Sequence, residues 1–281
     1  MGYVRPMGEG KRRTFISSLS EPTEESSPAL WFAFRNRELL VAADSCLPPG
    51  EGLDRLGLRP SHTHYLGLLE DVRCYAAELP PEARPPEDMA FRDLRSLLGR
   101  LEWDLHELAG RAIQIVEWDR NHRYCGACGT STEIATAERS RVCPRCGLHH
   151  FPRIAPSMIV AVERDDAILL ARSPHFPPGI YSVLAGFLEP GESAEDAVVR
   201  EVYEETRIEV TDVEYFGSQP WPFPHSLMLG FRARYVAGEI QVDGTEVEAA
   251  GWYPADDMPM IFPGNVSIAQ WLIRDFLERH R

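Results

Sequence analysis

The chain has 281 residues, of which 44% are hydrophobic and 10% aromatic, and its formal net charge is −14. This length can form one large or two ordinary domains with buried cores. The negative charge argues against broad, sequence-independent binding of nucleic acid, which depends on many Lys and Arg contacts to phosphate. No apolar run approaches the roughly 18–20 residues that span a bilayer, and the N-terminus lacks the apolar core of a secretory signal. We therefore expect a cytoplasmic protein without a membrane partner.

The first part of the chain predicts a tail followed by an N-terminal α+β domain over residues 29–120. Residues 1–28 end in a polar, proline-bearing stretch and predict a loose tail. The patterns that follow predict two strand pairs, a stiff proline-rich linker and two helices. In chain order these elements lie at residues 29–44, 63–79, 80–86, 89–98 and 101–120.

Two Cys-x-x-Cys pairs come next, Cys125 with Cys128 and Cys143 with Cys146. Each pair is followed by glycine. Four thiolates at this spacing close a tetrahedral site, which in a cytosolic chain holds structural Zn²⁺ more often than it forms redox disulfides. Since sulfur occupies all four positions, the predicted zinc supports folding of a ribbon over residues 121–150 and does not take part in chemistry. Cys46 and Cys74 lack partners at ligand spacing and are expected to be buried thiols.

From Phe151 onward the pattern predicts a second domain, over residues 151–281, in which strands and helices alternate. No internal repeat is visible. The predicted strands lie at residues 157–162, 167–171, 180–187, 208–216, 226–236 and 251–253. The predicted helices lie at residues 194–206 and 266–280, and Trp271, Leu272 and Phe276 of the last helix fit either the core or a dimer interface.

The helix over residues 194–206 begins at a good N-cap, Ser193, and places Val198, Val199 and Val202 together on an apolar side. Its other side carries a concentration of carboxylates. A solvated acidic face is the common reason for such a pattern.

The carboxylates of Glu201, Glu204 and Glu205 should form a compact cluster on that side. Like charges three or four residues apart destabilise a helix by about 0.2–0.5 kcal/mol per pair, so a positive partner is expected. Mg²⁺ or Mn²⁺ suits oxygen ligands of this kind. Arg200 is placed to form an ion pair with Glu204.

The context of this helix favours the metal-binding interpretation. The pattern from Gly186 through Glu192 and the Arg200–Glu205 segment to Ile208 resembles the Nudix box of pyrophosphate-bond hydrolases. One position departs from the family pattern, since Arg207 stands where the family has a glycine that ends the helix. If that position is a left-handed C-cap, a residue other than glycine costs about 1 kcal/mol there.

A second signature, Ser218 to Ser226, reads SQPWPFPHS. Its three alternating prolines disfavour helix and central strand, so it predicts a rigid loop that displays two aromatic rings. A hydrophobic loop that packs under its own domain, or into a dimer interface, is the alternative. The peptide closely resembles SQPWPFPxS of the NADH pyrophosphatase (NudC) family of Nudix hydrolases, which also carries a four-cysteine zinc element immediately before its Nudix domain. We call residues 218–226 the proline-aromatic loop.

This resemblance implies a fold class of α+β or α/β, with a Nudix-type mixed sheet sandwiched by helices. A zinc ribbon and a smaller α+β domain precede that sheet. It also implies that Glu201, Glu205, Glu246 and the carbonyl of Ala185 bind catalytic Mg²⁺ or Mn²⁺, with Glu204 as a further ligand or base. An exposed strand-end acid is the alternative for Glu246.

The resemblance also implies substrate contacts. Phe187 would stack on a ring, and the proline-aromatic loop would recognise the dinucleotide and reach a neighbouring subunit. Phe151 stands where the family has tyrosine, and a plain surface arginine is the alternative for Arg95. The implied contact residues are Gln219, Pro220, Trp221, Pro222, Phe223, Pro224, His225, Ser226, Arg95, Glu138, Phe151 and Ala269.

The activity implied is metal-dependent hydrolysis of NAD(H) to NMN(H) and AMP, extending to removal of NAD caps from RNA 5′ ends, by a homodimer. Two alternatives remain at this point. One is a Nudix hydrolase of ADP-ribose or related nucleoside diphosphates, against which the proline-aromatic loop argues. The other is a non-catalytic zinc-ribbon protein that senses a nucleotide, which loss of the box glutamates would have favoured.

Overall fold

The computed structural model describes residues 13–22, 29–42, 50, 52–242 and 244–280. These residues form two compact units. The N-terminal unit contains the described residues up to Arg153 together with Pro222–His225, and the C-terminal unit contains Ile154–Trp221 and the described residues from Ser226 onward. Within the described residues, no helix has the length and apolar character needed to cross a membrane.

The N-terminal unit is built on a six-stranded sheet in the order β1-β4-β5-β2-β3-β6. Only the central pair, β2 with β5, is parallel, and the other neighbours are antiparallel. The two predicted strand pairs are confirmed. The strands are β1 (Phe15–Ser17), β2 (Ala29–Arg35), β3 (Glu38–Ala42), β4 (His62–Leu69), β5 (Val72–Leu79) and β6 (Met89–Asp93).

Two sequence predictions for this unit are wrong. Part of the predicted loose tail is strand β1, which pairs with β4 from Phe15 opposite Leu69. The helix predicted over residues 89–98 is instead strand β6 followed by a single 3-10 turn, Leu94–Leu97. Pairing of β6 with the exposed edge of β3 supplies backbone hydrogen bonds that outweigh a weak helical periodicity.

One long helix, α1 (Trp103–Asn121), covers a face of this sheet and confirms the second predicted helix. Its buried side packs Ile113 and Val116 against a core that includes Phe32, Phe34 and Leu66. Cys74 is fully buried in the same core, as expected, whereas Cys46 lies outside the described residues. The segment over residues 80–86 is part of the connection from β5 to β6.

The ribbon follows α1 as a small antiparallel sheet within the N-terminal unit. Trp118 of α1 donates from its indole nitrogen to the carbonyl oxygen of His150 at 2.8 Å, which fixes the last ribbon strand against the helix. The strands are β7 (Glu133–Ile134), β8 (Arg141–Val142) and β9 (His149–His150).

The C-terminal unit has a mixed sheet in the order β13-β14-β10-β11-β15, with β12 also paired to β10. Here too one central pair, β10 with β14, is parallel. The strands are β10 (Ala155–Arg164), β11 (Ala167–Arg172), β12 (Leu184–Phe187), β13 (Glu209–Trp221), β14 (Ser226–Ala237) and β15 (Ala249–Pro254), and the helices are α2 (Ala194–Thr206) and α3 (Ile268–Arg279).

The predicted order of elements in this unit is confirmed, and the helix over residues 194–206 has the predicted ends. The extent of the proline-aromatic loop was predicted wrongly. Residues 218–221 continue β13, paired with β14 as far as Trp221 opposite Ser226. Because β13 is the edge strand, Pro220 can occupy it without removing a hydrogen bond from the sheet interior.

The two sheets share a topology that no repeat in the sequence revealed. In each unit a hairpin, β2-β3 or β10-β11, lies beside a strand that runs parallel to its first member, β5 or β14. In each, a strand antiparallel to that parallel neighbour follows next, β4 or β13. The N-terminal unit is therefore a second copy of the same sheet plan, without a glutamate-rich helix among its described residues.

The C-terminal core lies between the sheet and its helices. Helix α2 contributes Val198 and Val202 to a cluster with Met158 and Val160 of β10. Helix α3 begins with a capping box at Ser267. Its Trp271, Leu272 and Phe276 are buried within the chain, so these three side chains belong to the core.

Candidate active site

Helix α2 presents its carboxylates because its other side is anchored in the core. The hydroxyl of Ser193 accepts from the backbone amide of Asp196 at 3.1 Å, which confirms the predicted N-cap. Val198 and Val202 are fully buried, but Val199 is 43% exposed, so its predicted place on the apolar side was wrong. A step of 100° per residue carries Val199 beyond the edge of a narrow buried stripe.

Gly186 at the start of the box is required by a close approach to α2. A Cβ atom on Gly186 would lie 2.0 Å from the carboxyl carbon of Glu201. The carbonyl oxygen of Gly186 accepts from the hydroxyl of Ser157 at 2.8 Å, which fixes β12 against β10. The box therefore places the Glu201 carboxylate directly against the backbone of Gly186, in the space that a side chain there would occupy.

Arg200 binds three glutamates and one backbone carbonyl. Its Nε lies 2.7 Å from Glu192 Oε1, and its Nη1 lies 3.0 Å from both Glu201 Oε1 and Glu204 Oε2. Its Nη2 donates to the carbonyl oxygen of Phe187 at 2.9 Å. The predicted ion pair with Glu204 is confirmed, and the same guanidinium also holds Glu201.

Glu192 was not among the predicted site residues, although its fixed place in the box was a signal. Its carboxylate accepts from Arg200 and from the backbone amide of Glu189 at 3.0 Å. These hydrogen bonds, that from Arg200 foremost, lower the pKa of Glu192 to about 2. The Glu192 carboxylate thus fastens the loop that leads into α2 to the arginine that holds the other glutamates.

The box glutamates differ in exposure. Glu205 is buried, Glu204 is exposed, and Glu201 is intermediate. Burial raises the pKa of Glu201, and the charges of Glu204 and Glu246 add to that rise while Arg200 opposes it. The charge of Glu246 therefore acts on the Glu201 carboxylate.

The expected compact cluster is looser than predicted. Across the described residues, the groups of three or more side chains whose ligand atoms lie within 4.8 Å of one another do not include the box glutamates. Arg200 connects Glu201 to Glu204 instead. Carboxylates and backbone carbonyls are the hard oxygen ligands that Mg²⁺ and Mn²⁺ prefer, and Ala185 is an exposed residue of β12.

Arg207 ends helix α2 in the left-handed conformation, with φ 61° and ψ 20°. Its amide donates to the carbonyl oxygen of Tyr203 at 2.8 Å, and its guanidinium carbon lies 5.2 Å from the centre of the Tyr203 ring. The C-cap conformation expected for the family glycine is thus adopted by an arginine.

The four ribbon cysteines converge as predicted, each with its Sγ within 4.8 Å of the others. Sγ of Cys128 lies 3.5 Å from that of Cys143 and 3.7 Å from that of Cys146. Zn–S bonds of about 2.3 Å in a tetrahedron separate the sulfurs by about 3.8 Å, so this set fits Zn²⁺. Gly129 and Gly147 close the two knuckles at φ 72° and 74°, a conformation that favours glycine.

His62, Glu78 and Asp119 form a second group whose ligand atoms lie close enough together to hold a metal ion. The space between them is occupied by the guanidinium of Arg123. Nη2 of Arg123 lies 2.9 Å from His62 Nδ1 and forms an ion pair with Glu78. The guanidinium takes the place that a cation would occupy. This group is therefore a charge network within the N-terminal unit.

Gln219 of the proline-aromatic loop is buried and has both ends of its amide engaged. Its Oε1 accepts from the backbone amide of Ile268 at 2.7 Å, and its Nε2 donates to the carbonyl of Val266 at 2.9 Å. These bonds hold the start of α3, where Ala269 occupies the first turn. The structure thus brings together Gln219 and Ala269, two of the predicted substrate contacts.

The tip of the loop, Pro222–His225, belongs to the N-terminal unit, as does Arg95. The guanidinium carbon of Arg95 lies 4.8 Å from the centre of the Phe223 ring. Phe223 is half-buried against the core of that unit, so the ring is not fully displayed as predicted. In the C-terminal unit Phe187 is 57% exposed beside the box, which leaves its ring free to stack.

The remaining predicted contacts, Glu138 and Phe151, lie together on the ribbon through His149. Nδ1 of His149 lies 2.9 Å from Glu138 Oε1, and its ring stacks on that of Phe151 with centres 5.9 Å apart. Phe151 is 55% exposed. The structure therefore joins these two positions through a residue that the sequence did not single out.

Three family models match successive parts of the chain. The NADH pyrophosphatase-like rudimentary NUDIX domain matches residues 28–118, the NADH pyrophosphatase zinc ribbon domain residues 120–151, and the NUDIX domain residues 152–273. The rudimentary domain coincides with the sheet that repeats the C-terminal topology. Fold and site together define a Nudix hydrolase, an enzyme with a structural zinc ribbon and a site for Mg²⁺ or Mn²⁺.

Relatives extend this match over most of the chain. The NAD-capped RNA hydrolase NudC of Pseudomonas putida (strain W619) is 46% identical over 250 residues, 89% of this chain and 90% of the relative. The protein of the same description from Pseudomonas aeruginosa (strain LESB58) is 48% identical, over 82% of this chain and 82% of its own length. That from Pseudomonas fluorescens (strain Pf0-1) is 43% identical, over 91% of this chain and 92% of its own length. The chain belongs to the NudC family of Nudix hydrolases.

Proposed function

We propose that this enzyme hydrolyses the pyrophosphate bond of NAD(H) to give NMN(H) and AMP, and that it removes NAD from the 5′ ends of capped RNA. The observation that carries the proposal is the intact box on α2, with Glu201, Glu204 and Glu205 beside Arg200. The relatives described as NAD-capped RNA hydrolases support the choice of substrate.

We assign the metal-binding role to Glu201, Glu205, Glu246 and the carbonyl oxygen of Ala185. Mg²⁺ or Mn²⁺ held by these residues would neutralise phosphate charge and lower the pKa of a bound water. Glu205 or Glu204 would accept the proton from the attacking water as the general base. Arg200 positions Glu201 and Glu204 through one shared Nη1, which lies 3.0 Å from a carboxylate oxygen of each.

The substrate contacts are assigned to two groups of residues. In the C-terminal unit Phe187 offers an exposed ring for stacking. Gln219 of β13 accepts a hydrogen bond from the first residue of α3, next to Ala269. In the N-terminal unit the assigned residues are the loop tip with Arg95, and the ribbon pair Glu138 and Phe151. Flat rings at the two ends of a dinucleotide suit aromatic partners of this kind.

Product analysis tests the function directly. The purified protein is incubated with Mn²⁺ and equal amounts of NADH, ADP-ribose and an NAD-capped RNA in competition, and products are identified by mass spectrometry. We expect NMNH and AMP from NADH and a 5′-monophosphate RNA from the capped RNA. Cleavage of ADP-ribose with NADH left intact would overturn the proposal in favour of the alternative Nudix activity.

Glu205→Gln tests the assignment of the box helix. We expect turnover of NADH to fall by at least about a thousandfold, because the amide can neither accept the proton nor bind the cation as a carboxylate does. NADH affinity, measured by calorimetry without divalent metal, should stay within about twofold. Glu195→Gln, at an exposed carboxylate in the first turn of the same helix, is the matched control and should keep wild-type turnover. Undiminished turnover of Glu205→Gln would remove the helix from the mechanism.

We also propose a cytoplasmic homodimer. The loop tip, which the family resemblance assigned to a neighbouring subunit, packs in this chain against its own N-terminal unit. Light scattering coupled to size-exclusion chromatography should report twice the chain mass. A monomer with full NADH turnover would separate activity from dimerisation.

A further inference from the structure

The tip of the proline-aromatic loop, Pro222–His225, makes specific contacts with residues of the N-terminal unit. The backbone carbonyl of Pro222 accepts from Nη2 of Arg37 at 3.1 Å, and Arg37 is itself held by an ion pair with Glu117 of α1. Phe223 packs against the core of the unit with the Arg95 guanidinium over its ring. Four residues that are distant in sequence from that unit are therefore built into it.

Gly110 leaves room for Pro222 of the loop tip, because it has no side chain. It lies in the buried middle of α1, where glycine costs about 0.5–1 kcal/mol relative to alanine. A Cβ atom there would lie 2.8 Å from Cγ and 3.4 Å from Cβ of Pro222. Contacts under 3.0 Å force a shift, and the proline ring has little freedom to move. Alanine would therefore favour the helix and displace the loop.

We infer that Gly110 and Arg37 are positioning residues that hold the loop tip in the conformation that binds the dinucleotide. The inference rests on the proposed function, and it gives the rudimentary N-terminal domain a part in substrate binding. A loop held in place before binding does not lose conformational entropy when the substrate arrives. Release of the tip should therefore raise KM and leave the glutamates of α2 that are assigned to the metal undisturbed.

Gly110→Ala and Gly110→Val test this division. We expect KM for NADH to rise about fivefold or more with alanine and further with valine, while kcat stays within about twofold. Because alanine has the higher helix propensity, the melting temperature of Gly110→Ala should not fall. In the Pro222→Ala background, which lacks the Cγ atom, the further change Gly110→Ala should raise KM less than it does in the wild type.

Arg37→Met and Arg35→Met are a matched pair for the second contact. Arg35 ends β2, Arg37 lies in the turn that follows, and both form an ion pair, but Arg35 binds Glu38 and the carbonyl of Ala83 instead of the loop. We expect a higher KM from Arg37→Met alone. Equal effects of the two variants on KM would overturn the role of Arg37.

Amide hydrogen exchange provides a readout that does not depend on turnover. In the zinc-containing protein, peptides that cover residues 217–230 should exchange at least about threefold faster in Gly110→Val than in the wild type. Unchanged exchange together with unchanged KM would refute the inference. If the wild type fails to cleave NADH while Gly110→Val still accelerates exchange, the proposed function is wrong and the loop contact stands.

Discussion

The constraint on residue type at Arg207, Gly186 and Gly110 comes from the local backbone conformation in one case and from contacts with distant residues in the other two. Arg207 departs from the family glycine, yet the backbone keeps the left-handed turn that glycine would favour. At Gly186 and Gly110 the requirement for glycine comes from space and not from backbone conformation. A neighbouring side chain occupies the position that a Cβ atom would take. The first case was visible as a departure from a motif. The other two depend on which atoms the fold brings close.

Replacing Arg207 separates backbone strain from side-chain contact. Arg207→Gly should gain about 1 kcal/mol from relief of the positive φ and lose about 0.5–1 kcal/mol of cation–π contact with Tyr203. Arg207→Ala loses the contact and keeps the strain. We therefore expect Arg207→Gly to be about 1 kcal/mol more stable than Arg207→Ala in urea denaturation, with turnover similar in both. An alanine variant at least as stable as the glycine variant would contradict this account.

Gly186→Ala should damage catalysis more than stability. The new methyl would displace the Glu201 carboxylate, whose contact distance is 2.0 Å, and a side-chain end can move at little cost in folding free energy. A misplacement of about 1 Å lowers turnover by about a hundredfold. We expect such a loss in kcat/KM with a melting temperature near that of the wild type.

Glu201→Ala provides the control for this substitution. The double variant Gly186→Ala/Glu201→Ala should be no less active than Glu201→Ala alone, because the added methyl then has no carboxylate to displace. Additive losses in kcat/KM would mean that Gly186 acts by another route.

At the scale of elements, a buried ion pair joins the ribbon to helix α1. Asp119 is 1% exposed and pairs with Arg141 of β8, whose Nε also donates to Thr132 Oγ1 at 2.7 Å. His64 Nε2 from β4 lies 3.6 Å from the other carboxylate oxygen. Burial works against ionisation of Asp119, but His64 and Arg141 outweigh it and lower its pKa to about 2.

Asp119→Asn should cost about 3–5 kcal/mol at pH 7, because Arg141 would remain buried without its partner. The folded pKa of about 2 lies below the unfolded value of about 3.9, so ionised Asp119 stabilises the protein above pH 4. This stabilisation is lost as the pH falls toward 2.

Urea denaturation of both proteins at several pH values measures this effect. The difference in unfolding free energy between wild type and Asp119→Asn should shrink steadily from pH 4 to pH 2. Loss of zinc at acid pH affects both proteins and cancels in the comparison. A difference that does not change with pH would show that the carboxylate charge is not the stabilising feature.

At the scale of the whole molecule, the net charge of −14 limits how an RNA substrate can be held. If the cap is recognised by the proposed stacking and metal-binding residues, few contacts to the phosphates of the RNA body are needed. We expect KM for an NAD-capped RNA to rise by less than about tenfold between 50 and 200 mM salt, whereas six to ten phosphate contacts would cost about 10³-fold or more. NADH is the control substrate. A steep salt dependence for the RNA alone would reveal a local basic surface.

Local patterns in the sequence were enough to identify the family, the four zinc-ribbon cysteines and the acidic helix α2. The four cysteines and the box around Glu201 are local patterns, in which residue type and spacing alone specify zinc ligands and a helix. The proline-aromatic loop is also a local pattern, but its first four residues continue strand β13. Helix α2 and its cap could be predicted for the same reason, since a helix closes its hydrogen bonds within one segment.

Contacts between segments that are distant in sequence could be seen only in the tertiary structure. Strands β1 and β6 form only because another strand supplies their hydrogen bonds, and the place of the loop tip depends on Arg37 and Gly110, which lie more than a hundred residues earlier in the chain. The repeated sheet topology was likewise invisible, because strand order depends on pairing and leaves little trace in side-chain identity. Contacts of that kind are set by the packing of the whole chain and not by any one stretch of it.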